Sequence, residues 1–476
     1  MHKTWIVLCL IVLFCFLIGT ASATTRNVPR TYATIQAGIN AASTGDTVLV
    51  ADGTYQGSGN RDLNVNGKAI VVKSVNGYGS TTIDCQGSSV SEHRAFYFNH
   101  SETSSSVIDG FTIVNGYAPF GEAKAPCKTG GGISCLSYTS PTIKNCRFED
   151  NYAACAGGAI SCYHASPTIQ NCIFDYNEAD VGGGILAESY SNPNIIDCEF
   201  NGNAGGAIRC YMYSDPDISG CTFDGNYDNS GAGGISCRSY SDPTISYCVF
   251  TDNYVDWDAY SDDEASCLWC FYASSPTVSN CTFAYNGSAR AVIVNLDSST
   301  PTFTNCLIAE NDSNAVFVEY SNYVPTFTCC DIWGNAEGYW PSSPQDLADQ
   351  NGQDGNFSYT PIFCNGAYVN ESSRCLPEHP DNECDTLIGA LGMAATGCDY
   401  VCGDINSNGE VTLGDLSVLI AYLHLGGDAP YPMKAANCYD DAQDPECVVD
   451  SLDLDRMVDY LFISYDPLEC VGCPED

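Results

Sequence analysis

The chain has 476 residues, of which 58 are acidic and 17 basic, so its formal net charge at pH 7 is −41. Such a charge repels the phosphates of nucleic acids and of anionic membranes, which argues against both as partners. It suits an extracellular protein that tolerates salt, or one that gathers calcium.

Residues 1–23 have the features of a secretory signal peptide. Lys3 precedes an apolar run from Trp5 to Ile18, and Ala21-Ser22-Ala23 supplies a cleavage site of small residues. The run is too short for a comfortable membrane span, and no later segment qualifies as one. We therefore expect a mature protein without a transmembrane segment that is secreted, extracellular or held at a bacterial cell surface.

Residues 34–42 predict a short helix with Ile35 and Ile39 on one face, and residues 45–55 predict a turn, a strand and a second turn. We interpret this region as the N-terminal cap of a repeat domain, because the first coil of such a domain otherwise exposes its strand edges and its core.

From Pro141 to Asn335 one unit occurs eight times, with a Pro, a Cys five residues later and an Asn ten residues later. The prolines follow one another after 26, 26, 23, 27, 33, 25 and 24 residues. A period of this size predicts stacked supersecondary units, each of which buries its apolar face only against its neighbours. The cysteines are Cys146, Cys172, Cys198, Cys221, Cys248, Cys281, Cys306 and Cys330, and the asparagines are Asn151, Asn177, Asn203, Asn226, Asn253, Asn286, Asn311 and Asn335.

Glycine pairs and branched or aromatic residues in each unit favour short strands and turns over helices. About 25 residues then form one coil of a β-solenoid, with successive coils stacked at roughly 4.8 Å. Stacking predicts a hydrogen-bonded column of Asn amides. Asn also tolerates the left-handed backbone conformation that a sharp corner of the solenoid needs. We interpret the cysteine column as apolar packing. A second such column, interrupted by Ala187, consists of Cys135, Cys162, Cys210, Cys237 and Cys270.

Residues 157–160 (Gly-Gly-Ala-Ile) and 174–177 (Phe-Asp-Tyr-Asn) resemble the repeats of chlamydial polymorphic outer-membrane proteins. The N-terminal segment resembles the cap of right-handed parallel β-helices of the pectate-lyase-like (pectin lyase-like) class. Together these resemblances imply an all-β fold, a right-handed parallel β-helix over residues 24–335. Because the fold hosts lyases, hydrolases, adhesins and structural proteins, it implies no single activity.

The 33-residue repeat contains an acidic insertion, residues 256–264. Insertions in a solenoid project as loops on one face, often the binding face. Its carboxylates could hold calcium, bind sugar beside the aromatic residues, or act as the acid and base of glycoside cleavage. A solvated acidic loop is the alternative, and we interpret Arg209, Arg238, Arg290 and His164 as solvent-exposed. The candidate catalytic residues are Asp256, Asp258, Asp262, Asp263 and Glu264, and the candidate sugar-binding residues are Trp257 and Tyr260.

Residues 336–398 lose the repeat, and we interpret them as the C-terminal cap. Removing Cys9 and Cys15 with the signal peptide leaves 27 of the 29 cysteines, an odd number, so at least one has no intramolecular partner. Export permits disulfides. Cysteines that lie near each other in irregular stretches predict the bridges Cys375–Cys384, Cys438–Cys447 and Cys470–Cys473.

Residues 399–476 contain an EF-hand-type calcium loop that begins at Asp404. Oxygen-bearing side chains fall at positions 1, 3, 5, 9 and 12, with Gly409 at position 6 for the turn. An apolar stripe from Leu416 to Leu423 predicts a helix after the loop. The predicted calcium ligands are Asp404, Asn406, Asn408, Glu410, Thr412 and Asp415, and a second, less complete site contains Asp450 and Asp453.

This loop and helix, partly repeated near Asp450, resemble a type I dockerin, a small all-α domain. The resemblance implies a Ca²⁺ cofactor and a cohesin-like partner bound through residues 399–476. Two positions depart from the family pattern: Cys447 stands where the second loop has Gly, and Leu413-Gly414 stands where many members carry Ser-Thr to bind cohesin. The departures concern the second calcium site and the choice of partner.

These features predict a secreted or cell-surface β-helix protein that binds a polysaccharide or a cell-surface glycan and is tethered through its calcium module. The alternatives are a polysaccharide lyase or O-glycosyl hydrolase, since dockerin tails are common on such enzymes, and a purely structural surface protein. The regular repeat, without a recognisable catalytic cluster, favours binding. A flat tyrosine-lined face would support binding, and acidic and basic residues that converge in one groove would support an enzyme.

Overall fold

The structure is a computed structural model that describes residues 23–118, 130–255, 264–287, 290–336, 345–364, 367–369, 373–377, 379–380 and 382–391. In these ranges the chain winds as a parallel β-helix, in which successive coils add strands to three long parallel sheets. None of the described helices is long and apolar enough to cross a membrane. The predicted signal peptide (but for Ala23), most of the acidic insertion and the calcium module lie outside the described residues.

The first sheet has twelve described strands: Thr25–Val28, Thr47–Val50, Val71–Ser74, Val107–Asp109, Thr142–Lys144, Thr168–Gln170, Asn194–Ile196, Asp217–Ser219, Thr244–Ser246, Thr277–Ser279, Thr302–Thr304 and Thr326–Thr328. The second has eleven: Gly53–Tyr55, Thr81–Asp84, Thr112–Val114, Arg147–Glu149, Ile173–Asp175, Glu199–Asn201, Thr222–Asp224, Val249–Thr251, Thr282–Ala284, Leu307–Ala309 and Asp331–Trp333. The third has nine: Phe96–Phe98, Ile133–Leu136, Ile160–Tyr163, Ile185–Glu188, Ile208–Tyr211, Ile235–Arg238, Ala265–Phe271, Ala291–Asn295 and Asn314–Val318.

Shorter elements complete the described structure. Small parallel sheets join Tyr117–Ala118, Tyr152–Ala156 and Glu178–Val181, and join Tyr227–Asp228 with Tyr254–Val255. Phe363–Cys364 pairs with Tyr368–Val369 in an antiparallel sheet, and the helices are Ile35–Ala41 and Gln345–Ala348.

The three strands of a coil are short because left-handed residues turn the backbone between them. In the coil around Ile169, these residues are His164 before the first sheet, Asn171 between the first and second sheets, and Tyr176 after the second. The ladder asparagine, Asn177, is not itself left-handed; the residue before it is. The prediction that the repeated Asn supplies the left-handed corner is therefore wrong, because its side chain is used for hydrogen bonding instead.

Identical side chains stack inside the helix. Phenylalanines of six successive second-sheet strands, from Phe148 to Phe283, lie with ring centroids 4.5–5.0 Å apart and nearly parallel planes. These rings are fully buried, as are the isoleucines of the first and third sheets that face them. Full burial of such a side chain stabilises the fold by about 1.5–3 kcal/mol. The stacked columns are therefore the main apolar core.

The repeated asparagines form a continuous buried hydrogen-bond ladder, as predicted. Each amide Nδ2 donates to Oδ1 of the asparagine in the next coil over 2.7–3.0 Å, from Asn151 to Asn335. The same Oδ1 accepts from the backbone N–H of the preceding asparagine, as Asn203 Oδ1 does from Asn177 at 3.1 Å. The second Nδ2 hydrogen binds a backbone carbonyl of the previous coil, such as Phe174 O for Asn203. We call this column the asparagine ladder.

A second polar ladder, which the sequence analysis missed, runs between the third and first sheets. The hydroxyls of Ser191, Ser214, Ser241, Ser274 and Ser299 each accept the backbone N–H of the equivalent residue one coil earlier, at 3.1–3.2 Å. These serines are fully buried. This serine ladder fixes the corner residues that lie beside it in adjacent coils.

Both predicted cysteine columns are present and lie in the core. The second column pairs Cys135 with Cys162, then Ala187, Cys210, Cys237 and Cys270 in register. The thiols of both columns are free and buried, which confirms the interpretation as packing. Burial raises the pKa of Cys237 in the second column, and also that of Cys85 outside the columns, so these two thiols stay protonated.

The predicted cap helix and the strand after it are present, but Gly53–Tyr55, predicted as a turn, is the first strand of the second sheet. The helix Ile35–Ala41 begins after Thr34, whose hydroxyl accepts the backbone N–H of Ala37 at 3.2 Å. Ile35 and Ile39 are buried against the first coils. The helix therefore covers the open end of the first sheet.

The C-terminal segment packs against the outer face of the second sheet. Leu307 and Ala309 lie in one apolar cluster with Phe363, Leu376 and Ile388. A disulfide joins Cys329 of the last repeat to Cys384, whereas Cys375 is a free, buried thiol 3.6 Å from Asp331 Oδ2. The predicted Cys375–Cys384 bridge is wrong because docking of this segment brings Cys384 to the last coil. The predicted Cys438–Cys447 and Cys470–Cys473 bridges lie outside the described residues.

Replacing Asn203 by Ala should destabilise the fold by about 2–4 kcal/mol, because it leaves several buried ladder groups without partners. Removing its Oδ1 leaves the backbone N–H and the Nδ2 of Asn177 without their hydrogen-bond acceptor. Urea denaturation measures the loss in free energy of unfolding. The control is Asn194→Ala, which removes an exposed amide of the same coil. Equal, small losses in both variants would contradict a stabilising asparagine ladder.

Candidate functional site

An exposed column of aromatic rings runs along the corner between the third and first sheets. Ring centroids of Tyr190 and Tyr213, and of Tyr213 and Tyr240, lie 5.2 Å apart with planes within 6°. The column continues through His164 to Tyr138, at centroid spacings of 6.3 and 5.6 Å. We call these five residues the tyrosine ladder. The four tyrosines are exposed, Tyr138 to 78%.

The serine ladder helps to position the tyrosine ladder, because three of its five buried serines directly follow an exposed tyrosine in sequence. Tyr190 precedes Ser191, Tyr213 precedes Ser214 and Tyr240 precedes Ser241. Each tyrosine-ladder residue also lies three positions before the repeat proline, as Tyr190 does before Pro193. That spacing was the sequence signal from which this surface could have been found.

Within the tyrosine ladder, the faces of neighbouring rings stack on one another. Tyr213 has a parallel ring on each side, so its edge and its hydroxyl face the solvent. Such edges carry the positive side of the aromatic quadrupole, and the phenol group both donates and accepts hydrogen bonds. At the N-terminal end, no ring of the described residues stacks on the second face of Tyr138.

Carboxylates flank the tyrosine ladder. Asp215 Oδ1 accepts the backbone N–H of Asp242 at 2.7 Å, and Asp242 Oδ1 accepts that of Ser275 at 2.5 Å. Both aspartates are exposed, each two residues after a ladder tyrosine. The surface beside the aromatic rings is therefore acidic and rich in hydrogen-bonding groups.

A buried polar cluster lies on the outer face of the third sheet, in the same coils. Arg209 is 6% exposed, with its guanidinium carbon 5.3 Å from the centre of the Trp269 ring. Its Nη1 has no hydrogen-bond acceptor within the described parts of the chain. The prediction that Arg209 is solvent-exposed is wrong, because the segment from Asp228 to Ala232 and the Trp269 ring cover it.

Asp228 is the acidic member of this cluster. Its Oδ1 accepts the backbone N–H groups of Asn229 and Ser230 at 2.7 and 3.1 Å. Asp228 Oδ2 and Arg209 Nη1 each lie about 3 Å from the point that a Cβ on Gly231 would occupy. Burial raises the pKa of Asp228 to about 6, against the opposing effect of the Arg209 charge.

The other predicted exposed residues differ in environment. Arg238 is half-buried, 5.2 Å from the Phe271 ring and 5.9 Å from the Tyr211 ring. Arg290 is exposed, as predicted, with its guanidinium over the Phe317 ring. His164 is half-buried because it belongs to the tyrosine ladder.

A separate cleft of about 350 Å³ lies near the N-terminal end. It is lined by Asp62, Asn64, Glu92, Arg94 and Tyr97, from two neighbouring coils. Arg94 is buried, donates to Gly130 O at 3.0 Å and pairs with Glu92. Acidic and basic side chains thus converge here, at a place where the sequence analysis named no residue.

Among the predicted acidic candidates, only Glu264 is described. It is buried beside the start of the third-sheet strand Ala265–Phe271 rather than projecting. Its neighbours in the insertion and the calcium ligands predicted from Asp404 to Asp415, with Asp450 and Asp453, lie outside the described residues. Within the described ranges no group of three or more His, Cys, Asp or Glu is arranged to hold a metal ion.

Comparisons with known proteins agree with the fold. A family described as "Right handed beta helix region" matches residues 46–229 and 217–351. No curated protein sequence matches the chain.

Solved structures resemble the chain weakly. XylC in complex with xylose is 11% identical with a TM-score of 0.37, over 71% of this chain and 82% of that one. The pectin methylesterase of Aspergillus niger is 11% identical with a TM-score of 0.28, over 71% and 89%. A pectin methylesterase bound to a hexasaccharide is 11% identical with a TM-score of 0.24, over 70% and 95%. Similarity at this level bears on neither activity nor ligand.

Stability should fall as pH rises through the pKa of Asp228. Its folded pKa of about 6 exceeds the ordinary value of 3.8, so the folded state binds this proton more tightly than the unfolded state does. The contribution is complete below pH 3.8 and disappears above pH 6, a change of about 3 kcal/mol. Urea denaturation between pH 4 and 7.5 should show this fall in the wild type relative to Asp228→Asn.

The matched control is Asp224→Asn, which removes an exposed carboxyl of the same coil. Its stability should follow the wild type across the pH range. If the difference between wild type and Asp228→Asn stays constant with pH, the raised pKa of Asp228 is refuted.

Proposed function

The chain belongs to the right-handed β-helix family, and we propose that it binds a polysaccharide along the tyrosine ladder. The observation that carries this proposal is the in-register exposure of Tyr138, Tyr190, Tyr213 and Tyr240 on one corner. Phenol groups spaced by 5.2 Å repeat at about the length of one sugar residue. An extended glycan parallel to the helix axis would meet an equivalent contact on each coil.

The contact expected from this geometry is made by ring edges and hydroxyls. Because the interior rings cover one another, a sugar hydroxyl would hydrogen-bond to a phenol group at the edge, and the open face of Tyr138 would accept one stacked ring. Tyrosine supplies such contact area at a small cost in side-chain entropy.

The negative charge beside the tyrosine ladder favours neutral glycans over anionic ones. Asp215 and Asp242 flank the tyrosine ladder, and the whole chain carries a net charge of −41. A polyuronate would be repelled by this surface. The proposed ligand is therefore a neutral polysaccharide, free or at a cell surface.

The second candidate function is polysaccharide cleavage by a lyase or an O-glycosyl hydrolase. The N-terminal cleft favours it, because carboxylates and Arg94 converge there. The main evidence against a lyase is that Arg209 and Arg94 are buried and Arg238 is packed among aromatic rings. New reducing ends, or the ultraviolet absorbance of unsaturated uronates, would identify cleavage in the binding assay described below.

The proposal includes export and tethering, which rest on the sequence. The signal peptide would deliver the protein to the outside of the cell, and the dockerin-like residues 399–476 would bind Ca²⁺ and attach to a cohesin-like partner. The protein would then hold a polysaccharide close to whatever carries that partner. A purely structural surface role is the outcome if no glycan is retained.

Replacing Tyr190 and Tyr213 together by Ala should weaken polysaccharide binding at least tenfold, which corresponds to about 1.4 kcal/mol. Affinity electrophoresis of the mature chain in gels that contain neutral or acidic polysaccharides measures the change. The double variant should migrate freely in the gel that retards the wild type.

The matched control is Tyr176→Ala, which removes a tyrosine of similar exposure at another corner. Retention of this control together with loss in the double variant supports the tyrosine ladder as the site. Equal binding by all three proteins would contradict it, and retardation only in acidic gels would contradict a neutral ligand.

Calcium should protect residues 399–476 from proteolysis, because the ligands of such a loop converge only when it is folded. Limited proteolysis of the mature chain, with calcium or with a chelator, should cleave this region only under chelation. Asp404→Ala with Asp415→Ala should remove the protection, whereas Asp450→Ala should retain it. Protection of the double variant by calcium would show that this loop is not the site.

A further inference from the structure

Beside the N-terminal cleft, three side chains form a hydrogen-bonded series that the proposed glycan binding does not use, and of these only Asp62 lines the cleft itself. Ser91 Oγ lies 3.0 Å from His93 Nε2, and His93 Nδ1 lies 2.6 Å from Asp62 Oδ2. The order is hydroxyl, imidazole, carboxylate. With Nδ1–H donated to Asp62, Nε2 is the acceptor that faces the hydroxyl proton. This is the arrangement that activates a serine for attack on a carbonyl group.

Backbone contacts hold the base and the carboxylate. His93 exchanges backbone hydrogen bonds with Tyr117, at 3.3 and 2.8 Å. Asp62 donates its N–H to Arg94 O at 2.7 Å, and its Oδ1 accepts the N–H of Arg94 at 3.1 Å. The two residues come from neighbouring coils, so the regular stacking of the helix sets their separation.

The serine is accessible and its turn is defined. Ser91 and Ser88 exchange backbone hydrogen bonds at 3.0 and 2.9 Å, which closes a tight turn with Ser89 and Val90 at its tip. Ser91 is exposed, while the His93 side chain is only 20% exposed. A nucleophile that is open to substrate therefore sits beside a base that is partly shielded from water.

We propose that Ser91, His93 and Asp62 form the catalytic triad of a carboxylic ester hydrolase. Ser91 Oγ attacks the ester carbonyl carbon while its proton moves to His93 Nε2. The tetrahedral intermediate collapses, the carbon–oxygen bond to the alcohol breaks, and the leaving alkoxide takes the proton from Nε2. Water then attacks the acyl-serine with His93 as base, which releases the acid and restores the serine.

Asp62 holds the tautomer of His93 and stabilises its positive charge. Arg94, which lines the adjacent cleft, is buried, pairs with Glu92 and donates to Gly130 O, so we assign it no role in the reaction.

The lining of the cleft indicates the class of ester. The cleft beside the triad shares Asp62 with it and is also lined by Asn64, Glu92, Arg94 and Tyr97, so its described walls are mostly polar and favour a short acyl group over a long one. Two carboxylates disfavour an anionic acyl group. The substrate class is therefore a short-chain acyl ester of a hydroxyl-rich alcohol, and an O-acetylated sugar is the example that rests on the proposed glycan binding.

The test uses the mature full-length chain with two probes, p-nitrophenyl acetate and a fluorophosphonate that labels activated serines. We expect label on Ser91, located by peptide mass spectrometry, and hydrolysis of the acetate ester. Ser91→Ala should abolish the label at this residue. Ser91→Ala, His93→Ala and Asp62→Asn should each lower hydrolysis at least tenfold. p-Nitrophenyl octanoate should be a poorer substrate than the acetate.

Ser89→Ala is the matched control, because it removes an exposed hydroxyl from the same turn. It should keep both label and rate. Absence of label on Ser91, or equal hydrolysis by Ser91→Ala and wild type, overturns the triad, the latter because an isolated imidazole would then explain the rate. Since Ser91 is exposed, its replacement should leave the thermal unfolding midpoint unchanged.

The two proposals fail separately. The variant with Tyr190 and Tyr213 replaced should keep its label on Ser91 even if polysaccharide binding is lost. The Ser91→Ala variant should still be retarded by a neutral polysaccharide. Release of acetate from an O-acetylated neutral polysaccharide by wild type, and not by Ser91→Ala, would join the two functions.

Discussion

Side-chain amides join the eight repeats, and each of the six internal ones donates to the amide of the following coil and accepts from that of the preceding one. These groups are buried, so a shift of one residue in any coil would leave several of them unpaired, at about 1–3 kcal/mol each. Register along the solenoid is therefore strongly specified from inside. The stacked phenylalanines, the cysteine columns, the serine ladder and the exposed tyrosines all inherit that register.

The sequence predicted the part of each coil whose length is constant. From each repeat proline to its asparagine the spacing is always ten residues, and this stretch forms the first and second sheets. Between the asparagine and the next proline the length varies, and the error on Arg209 falls there. The burial of Arg209 depends on Asp228 and Trp269, which belong to other coils. The Cys329–Cys384 bridge spans 55 residues and depends on docking of the C-terminal segment, which no local spacing encodes.

The proposed glycan-binding surface and the proposed catalytic triad lie at different places on the outer surface. The tyrosine ladder extends over five coils with repeated, equivalent groups, which suits a polymer that is itself periodic. Ser91, His93 and Asp62 occur once, where the solenoid has not yet become regular and a short turn replaces part of a coil. Such irregular positions were the least predictable ones, because Ser91 and His93 give no signal until the coil spacing places Asp62 opposite them.

Because of the ladders, the number of coils can also change without altering the contacts inside each coil. Since an internal asparagine meets the same donor and acceptor on either side, a gene duplication or deletion of one whole unit would join ends that already match. The protein could thus lengthen or shorten its aromatic stripe in steps of one coil without redesigning its interior. Evolution could thus set the length of polymer that the tyrosine ladder contacts by changing the number of repeat units.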